Sequence, residues 1–301
     1  MITRITNLMS SQQLLDNINS SQDAISQTEQ ELSTGKRINQ PSDDPYGASL
    51  AVSLNGQLSR LGDYADNVSD GTAWTSTGLS ALQSIIQQVQ RAQELVTEAN
   101  NGTQSDSEMQ SAGAEISQLI QGIKADANTT YSGQYVFGGG SSTAPYSSTD
   151  NKFNGTVDGQ VQRTVGAGSG AAANVTVNSQ LYSVLNGSSN DDTGLLSQLQ
   201  SIADSLSAGT PPPSGSLTDL NSSLSGLTQQ SAVLGAAQDR LSLASTRIQG
   251  LQLSVTSALS DDEDANMAET LTTFSNEQAA FTAALKAGAN IVQMSLMDFL
   301  N

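Results

Sequence analysis

Four places along this sequence hold residues that could do chemistry. Gly138-Gly139-Gly140 could cradle a phosphate, and Asp150-Asn151-Lys152-Phe153-Asn154-Gly155 resembles the start of a calcium loop. The run Asp261, Asp262, Glu263, Asp264 could hold a hard cation, and Asp43 beside Asp44 could share a proton as an acid/base pair. Each fails on its surroundings. A phosphate loop needs Gly-Lys-Ser/Thr opening directly into a helix, whereas Ser141-Ser142-Thr143-Ala144-Pro145 follows here. In the calcium reading Lys152 takes a ligand position and Val161 stands where a bidentate Glu belongs. The carboxylates at 261–264 lack oxygen-ligand spacing and read as a solvated face. Asp44 is accounted for as a helix cap, because Pro45 follows it as a natural first helical residue.

Composition excludes more. The 301 residues include no His and no Cys, which removes the commonest general base, the thiolate nucleophile and zinc sites built on either. An enzyme would need a carboxylate or lysine site within 131–217, and no group of residues converges there. No catalytic residue, metal site or cofactor is therefore expected. Eleven Lys and Arg against 29 Asp and Glu give a formal charge of −18, with the basic residues scattered from Arg4 to Lys286. That balance repels nucleic acid and anionic membranes. No apolar stretch approaches the ~18–20 residues of a membrane span. The opening MITRITNLMSSQQLL lacks the apolar core and cleavage site of a secretory signal.

Apolar residues make up only 36% of the chain and aromatics 4%. Long helices that each bury a narrow stripe suit this composition better than one large core. Residues 131–217 carry 13 of the 26 Gly, four of the six Pro and six of the 12 aromatics. The flanks are rich in Gln, Ser, Ala and Leu. The chain therefore reads as helix, turn-rich insert, helix.

The C-terminal stretch has the strongest period. Steps of four and three run from Met267 through Leu271, Phe274, Gln278, Phe281, Leu285, Gly288, Val292 and Ser295 to Phe299, a heptad seam that keeps one stripe toward a partner. The preceding helical stretch repeats the pattern from Leu220 through Leu227, Leu234, Leu241 and Ile248 to Val255, and the acidic run after it is expected to open the terminal helix. At the other end Leu8, Leu15, Ile18, Ile25 and Leu32 keep heptad-compatible spacing up to Gly35, a natural helix stop. A second helix from Pro45 carries Leu50, Leu54, Leu61, Tyr64, Val68, Leu82, Ile85, Val89 and Val96 in one register. That seam weakens at Gly71, Thr75 and Gly78, where a kink or a close partner backbone is expected. Ser105 and Glu108 spell a capping box for a third helix. Within the insert, 133–138, 159–165 and 174–178 alternate like short strands.

The economical solution pairs the two ends of the chain. The fold is expected to be mainly α: a long antiparallel coiled-coil or helical-bundle rod formed by both termini, with a small β-rich domain inserted. The expected divisions are a terminal coiled-coil domain, 1–40 with 260–301, a helical rod domain, 41–130 with 218–259, and the β-rich outer domain, 131–217. The assembly seam would comprise Leu8, Leu15, Ile18, Ile25, Leu32, Met267, Leu271, Phe274, Phe281, Leu285, Val292 and Phe299. Ala279, Ala280, Ala283, Ala284, Ala287 and Ala289 surround it, and small residues admit further helices at close range.

The segment Leu32-Ser-Thr-Gly-Lys-Arg-Ile-Asn-Gln-Pro-Ser-Asp-Asp-Pro-Tyr-Gly-Ala48 resembles the signature near the start of bacterial flagellins and their relatives. The family motif falls on Arg37, Ile38, Asn39, Pro41, Ser42, Asp43, Asp44, Pro45 and Gly47. Leu95-Val-Thr-Glu-Ala-Asn-Asn-Gly-Thr103 resembles a second shared stretch. Within that superfamily, Pro41-Ser-Asp-Asp-Pro45, Gly133-Gln-Tyr-Val-Phe-Gly138 and the ending Ser295-Leu-Met-Asp-Phe-Leu300 resemble the hook–filament junction branch more than filament flagellin. The resemblance covers roughly 1–140 and 218–301.

It implies a structural protein of the bacterial flagellum, extracellular and exported through the flagellar type III apparatus without a cleaved signal peptide. Its implied partners are hook-associated protein 1, flagellin, further copies of itself in a ring, and an export chaperone at the C-terminal helix. It also implies terminal helices that order on assembly into an inner coiled coil. The heptads point to the same physics, since seams poorly buried in one chain gain most from other chains. Two other readings stay open: filament flagellin itself, and a type III-secreted effector or adhesin that displays residues 131–217.

Overall fold

A computed structural model describes the backbone of residues 2–101, 104–147, 151–168, 173–187 and 193–300, and within these the side chains of Met9 and of residues 12–289. Seven helices and two small antiparallel strand pairs are present among the described residues. The elements are α1 (Ile2–Thr34), α2 (Pro45–Asn100), α3 (Asp106–Ala127), β1 (Thr130–Tyr131), β2 (Gln134–Tyr135), β3 (Gln162–Thr164), β4 (Asn174–Thr176), α4 (Leu181–Leu185), α5 (Leu195–Ser207), α6 (Ser216–Glu263) and α7 (Met267–Leu300). The chain divides into two compact units, 1–60 with 251–301 and 61–250.

In the first unit α1 packs against α7. α1 stops at Gly35, whose φ of +72° is the left-handed conformation that ends helices and that glycine adopts without strain. The start of α2 follows the capping logic: Asp44 stands before Pro45, and its carboxylate accepts the Gly47 amide at 3.0 Å.

One expectation about this unit is overturned. The acidic run does not open the terminal helix. α6 continues through Glu263, so Asp261, Asp262 and Glu263 close it, and α7 begins only at Met267 with Glu269 in its first turn. Carboxylates at a helix C-terminus face the negative end of the dipole. The physical reason they are tolerated is the basic pair Lys36-Arg37, which lies against them: Lys36 Nζ sits 2.7 Å from Glu263.

The second unit holds the main hydrophobic core. On α6, Leu220, Leu227, Leu234, Leu241 and Ile248 recur every seventh residue and are all buried. Each such side chain contributes about 1.5–3 kcal/mol by leaving water. They share one core with Leu82, Ile85, Val89 and Val96 of α2 and Ile116, Ile120 and Ile123 of α3. α2 is helical throughout its weak stretch, and the glycines there admit neighbouring side chains and not the partner backbone expected. A Cβ on Gly71 would lie 3.2 Å from a Leu241 methyl, and one on Gly78 would lie 3.1 Å from Leu234 and 3.2 Å from Val136. Ser105 and Glu108 form the expected capping box on α3.

β2, β3 and β4 fall within the alternating stretches, but only Gln134 and Tyr135 of 133–138 are strand, and β1 precedes the first stretch. β1 and β2 pair through a turn at Ser132 and Gly133, both with positive φ, as a tight hairpin demands. β3 and β4 pair in the register Arg163↔Val175. The insert also contains α5, which packs on α3 and was not anticipated. Its apolar residues Leu195, Leu196, Leu199, Ile202, Ala203 and Leu206 follow a helical period, and all are buried. Three arginines fasten the β3–β4 pair: Arg163 bonds Asp70 of α2 and lies 5.4 Å from the centre of the buried Trp74 ring, while Arg240 and Arg247 of α6 donate to the carbonyls of Asn174 and Val165.

Candidate assembly surface

The connector between α1 and α2 is built from the motif residues, each with a local task. Asp43 accepts the backbone amides of Asn39 at 3.0 Å and Gln40 at 2.8 Å, folding the chain back on itself. The Asn39 side chain donates to the Lys36 carbonyl. Arg37 reaches Asp44 at 3.3 Å and the Asp262 carbonyl at 2.8 Å. The Arg37 amide donates to the Glu263 carbonyl and the Ala265 amide to the Gly35 carbonyl, so two connectors distant in sequence are laced together. These bonds satisfy carbonyls that the end of α6 would otherwise leave unpaired. The Gly47 amide, then the Arg37 guanidinium, hold the Asp44 carboxyl below the usual carboxylate range despite some desolvation. Ile38 is buried, and a Cβ on Gly47 would come within 2.5 Å of its terminal methyl. Pro41, Ser42 and Pro45 are exposed.

The seam residues fall into three sets. Ile18, Ile25 and Leu32 of α1 and Phe274 and Phe281 of α7 are half-buried. Leu15, Met267, Leu271 and Leu285 stay open to solvent, 55%, 48%, 57% and 47% exposed respectively. The side chains of Leu8, Val292 and Phe299 lie outside the described residues. On α7 the less exposed face runs through Thr270, Phe274, Glu277, Phe281, Ala284 and Gly288. The apolar stripe is therefore wider than the pair can cover. Thr28 of α1 and Thr270 of α7 are both buried and were missed, because a search for apolar periodicity passes over threonine.

The other chemical candidates resolve into structure. Gly138 to Gly140 form a turn in which Gly139 and Gly140 take positive φ and a Cβ on Gly139 would strike the Thr156 carbonyl. Asp150 lies outside the described residues. Asn154, from the same stretch, donates its amide to the Pro145 carbonyl, and Phe153 is buried against Tyr146 and Tyr182. No helix among the described residues is long and apolar enough to cross a membrane.

Two family models match the helical flanks: the bacterial flagellin N-terminal helical region over residues 5–142 and the C-terminal helical region over 217–300. The chain belongs to the bacterial flagellin family. Within this family it is similar end to end to flagellar hook-associated protein 3 of Escherichia coli, 28% identical over 314 aligned positions that span 98% of this chain and 99% of the relative. Its similarity to phase 1 flagellin of Salmonella is higher but local, 36% identical over 115 residues, 38% of this chain and 23% of the flagellin. The fold is shared with crystal structures of Bacillus cereus FlgL, at TM-score 0.57 and 17% identity over 69% of this chain and 99% of that one, and with a flagellar hook-associated protein of Vibrio parahaemolyticus, at 0.56 and 17% over 74% and 100%. The flagellin family is one of structural flagellar components and not of enzymes.

Proposed function

We propose that this chain forms the adaptor ring at the hook–filament junction, seated on hook-associated protein 1 and receiving the first flagellin subunits. The observation that carries this reading is coverage. Alignment with hook-associated protein 3 consumes both chains almost entirely, whereas alignment with flagellin stops after about a quarter of the flagellin.

The terminal domain, 1–40 with 260–301, is assigned to the inner coiled coil of the ring, and 131–217 to an outward domain. The uncovered stripe of Leu15, Met267, Leu271 and Leu285 supports an interface with neighbouring subunits, because large apolar residues recurring along one helix face are unusual on a surface that stays wet. The same stripe on α7 is a ready docking surface for an export chaperone before assembly. The protein is then extracellular, delivered by the flagellar export apparatus.

Deletion of the gene tests the reading. Cells should build hooks that carry no filament and release flagellin monomers into the medium. Filaments that persist on the deletion strain would contradict it.

A further inference from the structure

One polar and one steric contact in the α1–α7 pair involve residues that a search for large apolar side chains passes over or gives no task. The Thr28 side chain is buried, and its hydroxyl donates to the Glu277 carboxylate at 2.6 Å, with the Ala24 carbonyl a second acceptor at 2.8 Å. Fourteen residues earlier on α1, Leu14 fills the space that Gly288 leaves open: a Cβ there would lie 2.9 Å from a Leu14 methyl.

We infer that Thr28–Glu277 and Leu14–Gly288 are the register-setting contacts of the terminal helix pair. A heptad seam is by itself nearly indifferent to slipping seven residues, since apolar positions recur at that interval. These two contacts break the degeneracy in opposite directions. A slip one way brings Phe281 to the place of Gly288 and drives an aromatic ring into Leu14. A slip the other way carries Glu277 to Gly35, past the end of α1, and leaves the buried Thr28 hydroxyl against Ala284. A polar pair at one seam position fixes alignment because every other alignment parts it: Thr28 keeps only the Ala24 carbonyl of its own helix, and the half-buried Glu277 carboxylate loses its donor. The inference concerns the pair itself and stands whether the chain occupies the junction or the filament.

The absence of cysteine makes the test clean. Full-length chains carrying Gln22→Cys with Ala283→Cys, assembled on the flagella of a complemented deletion strain, report the observed register to a short bifunctional thiol cross-linker. Chains with Gln22→Cys and Asn276→Cys report the register slipped by one heptad. The first pair should dominate in the parent background. Adding Thr28→Val, which keeps the shape and removes the donor, together with Gly288→Ala should lower the ratio of first to second by about tenfold, and Thr28→Ser in place of Thr28→Val should recover most of it. An unchanged ratio in Thr28→Val/Gly288→Ala would overturn the inference. So would loss of cross-linking in both pairs that Thr28→Ser does not restore, because the threonine would then be needed for folding rather than alignment.

Discussion

The guanidinium of Arg37 donates to the backbone carbonyl of Asp262 at 2.8 Å across 225 residues of sequence. Through this contact, and the Lys36–Glu263 ion pair beside it, the connector leaving α1 is fixed to the last turn of α6. Lys36, Arg37, Asn39, Asp43 and Asp44 thus act as a structural fastening through hydrogen bonds, ion pairs and a helix cap.

Glycines in the helices should respond to substitution in opposite ways. Gly47→Ala forces a Cβ to within 2.5 Å of the buried Ile38 and 2.8 Å of the capping carboxylate of Asp44, and should destabilise the chain by about 1–3 kcal/mol. Gly62, Gly235 and Gly250 have nothing within 4 Å of the same position, so alanine there should stabilise by about 0.5–1 kcal/mol through helix propensity alone. Thermal unfolding followed by circular dichroism measures both signs.

Arg163→Ala should loosen the β3–β4 pair. It removes the ion pair to Asp70 and the cation over Trp74, together about 1–2 kcal/mol for groups only partly shielded from water. Trp74 is the sole tryptophan and is 1% exposed, so its emission should shift to the red in the variant. An unshifted spectrum would mean that the ring is held by its apolar neighbours alone.

Stability should fall at both extremes of pH. The carboxyls of Asp44 and Glu108 are held below their ordinary values, first by the amides of Gly47 and Ser105 respectively. A depressed pKa contributes stability that is present above the unfolded value of about 4 and lost as pH falls through the folded one. Tyr146 is pushed up by burial, and Tyr182 by its hydrogen bond to Asp158 and then by burial. Their contribution is complete below the unfolded value of about 10 and lost as pH rises through the folded values. Glu108→Gln should flatten the acid limb and Tyr182→Phe the alkaline limb of a stability profile measured by urea unfolding.

The seam should separate folding from assembly. Leu271→Asp and Leu285→Asp alter exposed positions and should change the stability of the free chain by no more than about 0.5 kcal/mol, while stopping filament growth. Phe281→Asp places a charge on the half-buried face and should impair both. Motility of the complemented deletion strain, read beside the melting temperature of each purified variant, distinguishes the two effects. Normal motility with Leu271→Asp and Leu285→Asp would remove the stripe from the interface.

What sequence made legible here follows from which signals are local. The stops and starts at Gly35, Asp44-Pro45 and Ser105-Glu108 were readable because capping involves residues within three or four positions of each other. The heptads of α6 were readable because a single face repeats without interruption from Leu220 to Ile248. α5 was hidden inside a stretch whose glycine and proline content reads as turns, although its own leucines keep a helical period. The acidic run was misplaced because its favourable partner, Lys36-Arg37, is more than 220 residues away in sequence. The division of the α7 stripe into a covered and an open part was out of reach for the same reason. It depends on how α1 lies across α7, with Thr28 and Leu14 in places that only the folded pair reveals.

The most direct test of the junction assignment is immunogold electron microscopy of intact flagellated cells with an antibody raised against residues 131–217. A single cluster of label where hook meets filament is the predicted result. Label running continuously along the filament, or none on the organelle with the protein free in the medium, would contradict it.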